Sequence, residues 1–183
     1  MASATRKNTN IKQVRKKCVN TGQSTDSMIV IGIDPGLATV GFGIIRIEES
    51  SIIPVSYGCI STSAEKQTPQ RLLEIYKQIN SLFKKYAPGA VAIEKLFFTK
   101  NVTNAMSVSE AMGVILLAAQ QKNISVFEYT PNQIKQAITG SGRANKKQMQ
   151  EMIKRLLKLN ELPQPDDAAD GLSIALCHIH VMR

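Results

Sequence analysis

At 183 residues the chain has room for one domain with a core of its own, without disulfide or metal staples. Its net charge of +9 points to a polyanionic partner, nucleic acid before membrane, because no run approaches the roughly 18 apolar residues of a spanning helix. The three cysteines, odd in number and without C-x-x-C spacing, support neither a disulfide framework nor a zinc site, which fits a reducing, cytoplasmic setting.

Residues 1–27 carry Arg6, Lys7, Lys12, Arg15, Lys16 and Lys17 against Asp26 alone, and so hold five of the nine net positive charges. They lack the apolar run of a secretory signal and read as a disordered basic arm, as residues ahead of a start at Met28, or as an acid-poor transit peptide. The domain is expected over residues 28–183. Met28–Asp34 is a buried strand by its β-branched content, stopped by Pro35-Gly36, and Val40–Ile47 returns as its hairpin partner. A third strand is predicted over about Ile52–Thr62, and Pro54 disfavours a central place for it. From Thr68 the apolar period becomes helical, through Leu72, Ile75, Tyr76, Ile79, Leu82, Phe83 and Tyr86, until Pro88-Gly89 ends it. Ala90–Glu94 is a short buried strand. The helix predicted over about Asn101–Gln121 is apolar on most faces, so it is either deeply buried or packed on a second subunit.

Ser125–Tyr129 is the fifth strand, followed by a short helix capped by Thr130 with Pro131 in its first turn. A basic loop, Gly140–Asn145, leads to a helix over Lys146–Leu159. After Pro163 and Pro165 comes a last helix, about Asp167–His180. The order implies an α/β fold, a mixed five-stranded sheet with helices packed on it.

The chemistry sits in carboxylates. Asp34 and Glu94 each end an apolar strand, where an unpaired charge is expensive, and they converge if those strands are neighbours. Each has a plainer alternative: Asp34 as a turn residue before Pro-Gly, Glu94 as the ion-pair partner of a lysine. Asp166 is explained as a helix cap or dipole complement and is left out. Asp167 and Asp170 share one helical face, and Asp170 lies too far into the helix to cap it. Carboxylates without Cys or His are hard ligands that suit Mg²⁺, with Mn²⁺ as a substitute, and a pair of such ions suits phosphodiester cleavage. Lys135, Arg143, Lys146 and Lys147 surround the basic loop and suit phosphate contacts, a solvated charged surface being the alternative. Phe97 and Phe98 are consecutive, so in an extended segment one is core and the other free to stack on a base. Lys100 closes that segment and joins the candidate DNA contacts. His178 and His180, near a helix end, read as dipole complements rather than metal ligands.

Ile31-Gly32-Ile33-Asp34-Pro35-Gly36, Ala92-Ile93-Glu94 and Asp167-Ala168-Ala169-Asp170 stand in an order and spacing, with Phe127-Glu128-Tyr129 and Lys135-Gln136 between them, that resembles the RuvC family of Holliday-junction resolvases. The resemblance runs from Met28 to the C-terminus and leaves residues 1–27 without a place in it. It implies a ribonuclease H-like fold with helices on both sheet faces, a homodimer, and paired symmetric nicks in a four-way junction. It also implies Asp34, Glu94, Asp167 and Asp170 as ligands of about two Mg²⁺ per subunit. Phe97 matches an aromatic that stacks near the crossover, Lys135 and Lys146 match basic DNA contacts, and a RuvA–RuvB branch-migration complex is the implied partner. The rivals are a ribonuclease H acting on RNA–DNA hybrids, a catalytically idle junction-binding protein, and an actin-like or Hsp70-like ATPase. The ATPase should be much longer and carry a second Gly-rich phosphate loop, which is missing here.

Overall fold

The computed structural model describes residues 27–49, 51–96 and 102–182. The basic segment 1–26 and the expected DNA contacts Phe97 and Lys100 lie outside the described residues.

Strands β1 (Ser27–Asp34), β2 (Thr39–Glu48) and β3 (Ser51–Ser61) form an antiparallel meander. β4 (Ala90–Glu94) pairs parallel with β1, and β5 (Ser125–Tyr129) pairs parallel with β4, giving the order β3-β2-β1-β4-β5. β3 is an edge, as Pro54 requires; opposite Pro54 the ladder slips by a register shift between Ile44 and Ile45. Helix α1 (Thr68–Tyr86) makes the crossover into β4, and α2 (Val102–Gln121) the crossover into β5. Helices α3 (Pro131–Thr139), α4 (Lys146–Leu156) and α5 (Asp166–Met182) complete the chain. Among the described residues no helix is long and apolar enough to cross a membrane.

The helix boundaries have local causes. Gln67 and Gln70 close a capping box at the start of α1, and Ala87 ends the helix in a left-handed conformation whose N–H donates to the Phe83 carbonyl. Thr130 with Gln133, and Asn145 with Gln148, build the same box for α3 and α4. Helix α4 stops short of the Leu159 expected from its apolar stripe. Lys158 takes φ 52°, a turn no Gly or Asn in the sequence announces.

Two cores form, one on each face of the sheet. Ile31, Ile33, Ile44, Val91 and Ile93 pack against Ile75, Ile79 and Phe83 of α1 and Ala111, Ile115 and Ala118 of α2. Val30, Ile45 and Ala92 pack against α3, α4 and α5 on the other face. Helix α2 is therefore half-covered rather than deeply buried: Met106 and Leu117 stay 60% and 54% exposed.

Helix α5 lies on β1 and β2 without side-chain spacers. A Cβ added at Gly32 would fall 2.2 Å from the Gly171 carbonyl oxygen, at Gly43 2.4 Å from Leu172 N, and at Gly41 2.0 Å from the Asp167 carbonyl oxygen. Backbone contact, not side-chain packing, sets the depth of α5, and with it the position of the acidic turn at its start.

Candidate active site

Alternation along β1 turns Val30, Gly32 and Asp34 toward α5, and along β4 it does the same for Ala90, Ala92 and Glu94. Ile33 is level with Ile93 across the parallel ladder, so Asp34 and Glu94 leave adjacent strands at the same height and on the same face. Strand neighbours lie about 4.8 Å apart, close enough for two carboxylates to feel each other. Above them sits the first turn of α5, which brings Asp167 and Asp170 on one side of the helix. The adjacency left open by the sequence is met.

Electrostatics report the convergence. Burial pushes the Asp34 carboxyl up to about 7, and Glu94, Asp170 and Asp167 add to the push, against a smaller opposing pull from Lys146. Glu94 is raised by burial and then by Asp170, with Lys135 opposing. Asp170 is raised by burial and by Asp167 and Asp166, with Lys146 opposing. The turn-residue and simple ion-pair alternatives predict no such mutual repulsion, and Glu94 has no ion pair within 4.0 Å among the described residues. Among the described residues no group of three or more His, Cys, Asp or Glu side chains is gathered tightly enough to hold a metal ion by itself.

Two separate hollows with cationic walls border these carboxylates. On one side a hollow of about 320 Å³ is lined by Glu94, Asp170, Lys135, Lys146 and Ser173. On the other a hollow of about 490 Å³ holds Asp167 with Arg71, Ser107 and the Gly36–Thr39 loop. The sequence reading missed Arg71, which sits on an amphipathic helix where a charged residue raises no signal. It also missed Cys59, opposite Gly41 on β3, whose thiol is pushed up by burial and then by Asp167.

The expected basic contacts divide. Lys135 and Lys146 line one hollow with Glu94 and Asp170; Arg143 and Lys147 do not, and instead line a separate groove of about 570 Å³ with Arg155 and Glu151. Lys146 Nζ lies 2.8 Å from Asp166 Oδ2, and Gln150 donates to the other Asp166 oxygen at 2.8 Å. Asp166, read from the sequence as a helix cap or dipole complement, stands in the first turn of α5, and its carboxylate is engaged by Lys146 and Gln150. The histidine expectation needs correcting in part. His178 is fully buried, its Nδ1 2.6 Å from the Tyr129 hydroxyl and its ring against Phe127, and burial holds it below the ordinary imidazole range, so it carries no charge for the helix dipole. His180 Nδ1 lies 3.0 Å from the Ala137 carbonyl oxygen.

Known proteins resemble this chain in sequence and in fold. A family model described as "Crossover junction endodeoxyribonuclease RuvC" matches residues 30–178. The protein of that name from Alkaliphilus metalliredigens is 53% identical over 153 residues, 84% of this chain and 93% of the relative. Its namesake from Pseudothermotoga lettingae is 50% identical over 154 residues, 84% of this chain and 95% of the relative. Among solved structures, T. thermophilus RuvC in complex with a Holliday junction substrate superposes with a TM-score of 0.81 at 33% identity, over 85% of this chain and 95% of that one.

Proposed function

This chain belongs to the RuvC family of crossover junction endodeoxyribonucleases, with a ribonuclease H-like fold, and we propose that it cuts four-way DNA junctions by paired symmetric nicks in strands of like polarity during recombination and repair. One observation supports the reading above all. Asp34 and Glu94 end neighbouring parallel strands at the same height, beneath the helical turn that carries Asp167 and Asp170.

The donor set fits a divalent cation by its chemistry. All four donors are hard carboxylate oxygens, and burial with mutual repulsion makes three of them reluctant anions until a cation joins them. Mg²⁺ takes one or two carboxylates plus substrate phosphates rather than an all-protein set of ligands, so these four carboxylates suit two such ions per subunit, with Mn²⁺ as a substitute. A divalent ion held there supplies Lewis-acid charge at the phosphodiester and lowers the pKa of the attacking water. Lys135 and Lys146 neutralise phosphates on the Glu94 side. To do so Lys146 leaves Asp166, an exposed ion pair that costs little to break. Arg143 and Lys147, with Arg155, carry a junction arm along their own groove.

Two symmetric nicks need two sites, hence a homodimer, and the exposed Met106 and Leu117 on apolar α2 supply a face for it. A RuvA–RuvB branch-migration complex is the partner that family membership implies, and the cytoplasm its place of work. The test is a nicking assay on a labelled four-way junction, a linear duplex and an RNA–DNA hybrid, with Mg²⁺ or EDTA, beside Asp170→Asn. The expected result is symmetric junction nicks, dependent on Mg²⁺ and lowered on the order of a thousandfold by Asp170→Asn. Normal cutting by the variant would remove the carboxylate site from the account; preference for the hybrid would make the protein a ribonuclease H.

A further inference from the structure

We propose that Arg71 binds the DNA backbone phosphate next to the scissile one, on the Asp167 side of the site. The proposal rests on the endonuclease reading above.

Arg71 lies half-buried in the fourth residue of α1, far in sequence from every carboxylate, yet it shares a hollow of about 490 Å³ with Asp167. It is held there by one hydroxyl. Arg71 Nε donates to Thr62 Oγ1 at 2.8 Å, and that hydroxyl donates in turn to the Leu37 carbonyl at 2.6 Å. The Thr62 N–H donates to the Ala38 carbonyl at 3.0 Å. The chain of bonds fastens the guanidinium to the loop that follows Asp34. Gly36 lets that loop fold tightly, since a Cβ there would meet the Thr39 carbonyl oxygen at 2.4 Å.

Among the described residues no carboxylate comes within 4.0 Å of Arg71, although Asp167 lines the same hollow. Its Nε is used for anchoring, and the two terminal nitrogens remain as a planar fork, the geometry that takes a phosphate through two parallel bonds. A hydroxyl anchor leaves the charge uncancelled, which an ion pair would not. Position completes the case. Lys135 and Lys146 flank the carboxylates on the Glu94 side and Arg71 on the Asp167 side, so a strand crossing Asp34 meets a cation before and after the acidic centre. The competing reading makes Arg71 a clamp that only holds Thr62 against the loop.

Salt dependence separates the two, because its slope counts neutralised phosphates. Binding of a labelled four-way junction in EDTA is measured across KCl concentrations for wild type, Arg71→Gln and Thr62→Val. Arg71→Gln is expected to flatten the log–log slope by about 0.9 for each occupied site and to weaken binding roughly tenfold, while Thr62→Val keeps the wild-type slope. Neutral methylphosphonates placed singly within three linkages of the scissile one should weaken wild type at one position where Arg71→Gln loses nothing more. An unchanged slope in Arg71→Gln, an equal flattening in Thr62→Val, or additive losses at every linkage would overturn the assignment. If Arg71→Gln does not fold, Arg71→Lys decides: charge without the fork should keep the slope and lose affinity, and a flattened slope with the charge retained counts against the phosphate. A wild type with no preference for the junction strikes the endonuclease reading instead, and that shows before any variant is compared.

Discussion

On one face of the sheet Ile31, Ile33, Ile44 and Ile93 hold α1 and α2 away from the backbone with full side chains; on the other, Gly32, Gly41 and Gly43 let α5 rest against the strands themselves. Aliphatic spacing is tolerant, because neighbouring side chains can repack around a lost or gained methylene. Backbone contact is not, since neither partner can turn aside. The face that needs no accuracy is built from isoleucine and alanine. On the face that carries Asp34 and Glu94, glycine at 32, 41 and 43 sets how near α5 comes.

The contrast can be broken in four ways, taken from the largest expected effect to the smallest. Ile79→Ala, fully buried under the sheet on the tolerant face, should lower stability by about 4 kcal/mol in urea unfolding and leave junction cutting per folded molecule unchanged. A specific loss of turnover there would mean that the α1 face also positions the site. Gly41→Ala should lower stability by about 2–3 kcal/mol by pressing on the Asp167 carbonyl, and should also lower cutting roughly a hundredfold, as a displacement of about 1 Å does. Full activity in that variant would show that α5 can rise without cost.

Asp34→Asn tests the electrostatic cost of the same face. The native carboxyl titrates at about 7 and the unfolded one near its usual 3.8, so between those values the native state holds a proton that the unfolded state lacks. Stability from this group therefore falls as pH rises through the window, and the whole penalty is present above it. In EDTA at pH 8 the variant should be more stable than wild type by on the order of 2 kcal/mol, and at pH 3 the two should coincide. Divalent ions should shrink the difference by stabilising wild type alone. Equal melting at pH 8 would mean that the carboxylates are not crowded. Tyr129→Phe is the mildest: it removes the bond to His178, whose Nε2 is buried without a partner among the described residues, and should lower thermal stability by about 1 kcal/mol while cutting continues.

Much of this was legible in the residues. β4 and β5 fall on their expected bounds because short apolar runs between Pro-Gly, Asn123 and Thr130 leave no other choice. Pro54 announced an edge strand. Asp170 carried weight because no cap can explain an acid so far into a helix. What the sequence left open was long-range: whether β1 and β4 are neighbours, and which hollows the cations enter. Lys146 and Asp166 are separated by a whole helix, and Arg71 from Asp167 by most of the domain, so no local spacing betrays either relation. Arg143 and Lys147 stand beside Lys146 in the chain, yet helical rotation turns Lys147 into a different groove, and Arg143 lines that groove from the preceding loop.

The parallel pairing of β1 with β4 carries a further consequence, in time rather than space. Between Asp34 and Glu94 the chain must make two more strands and a helix, and Asp170 lies on the last helix of all. The β1–β2–β3 meander uses near neighbours and can form while the rest is still being synthesised, but the acids come together only when α5 docks on the glycines. The acids of α5 are thus the last to be put in place, after every strand of the sheet.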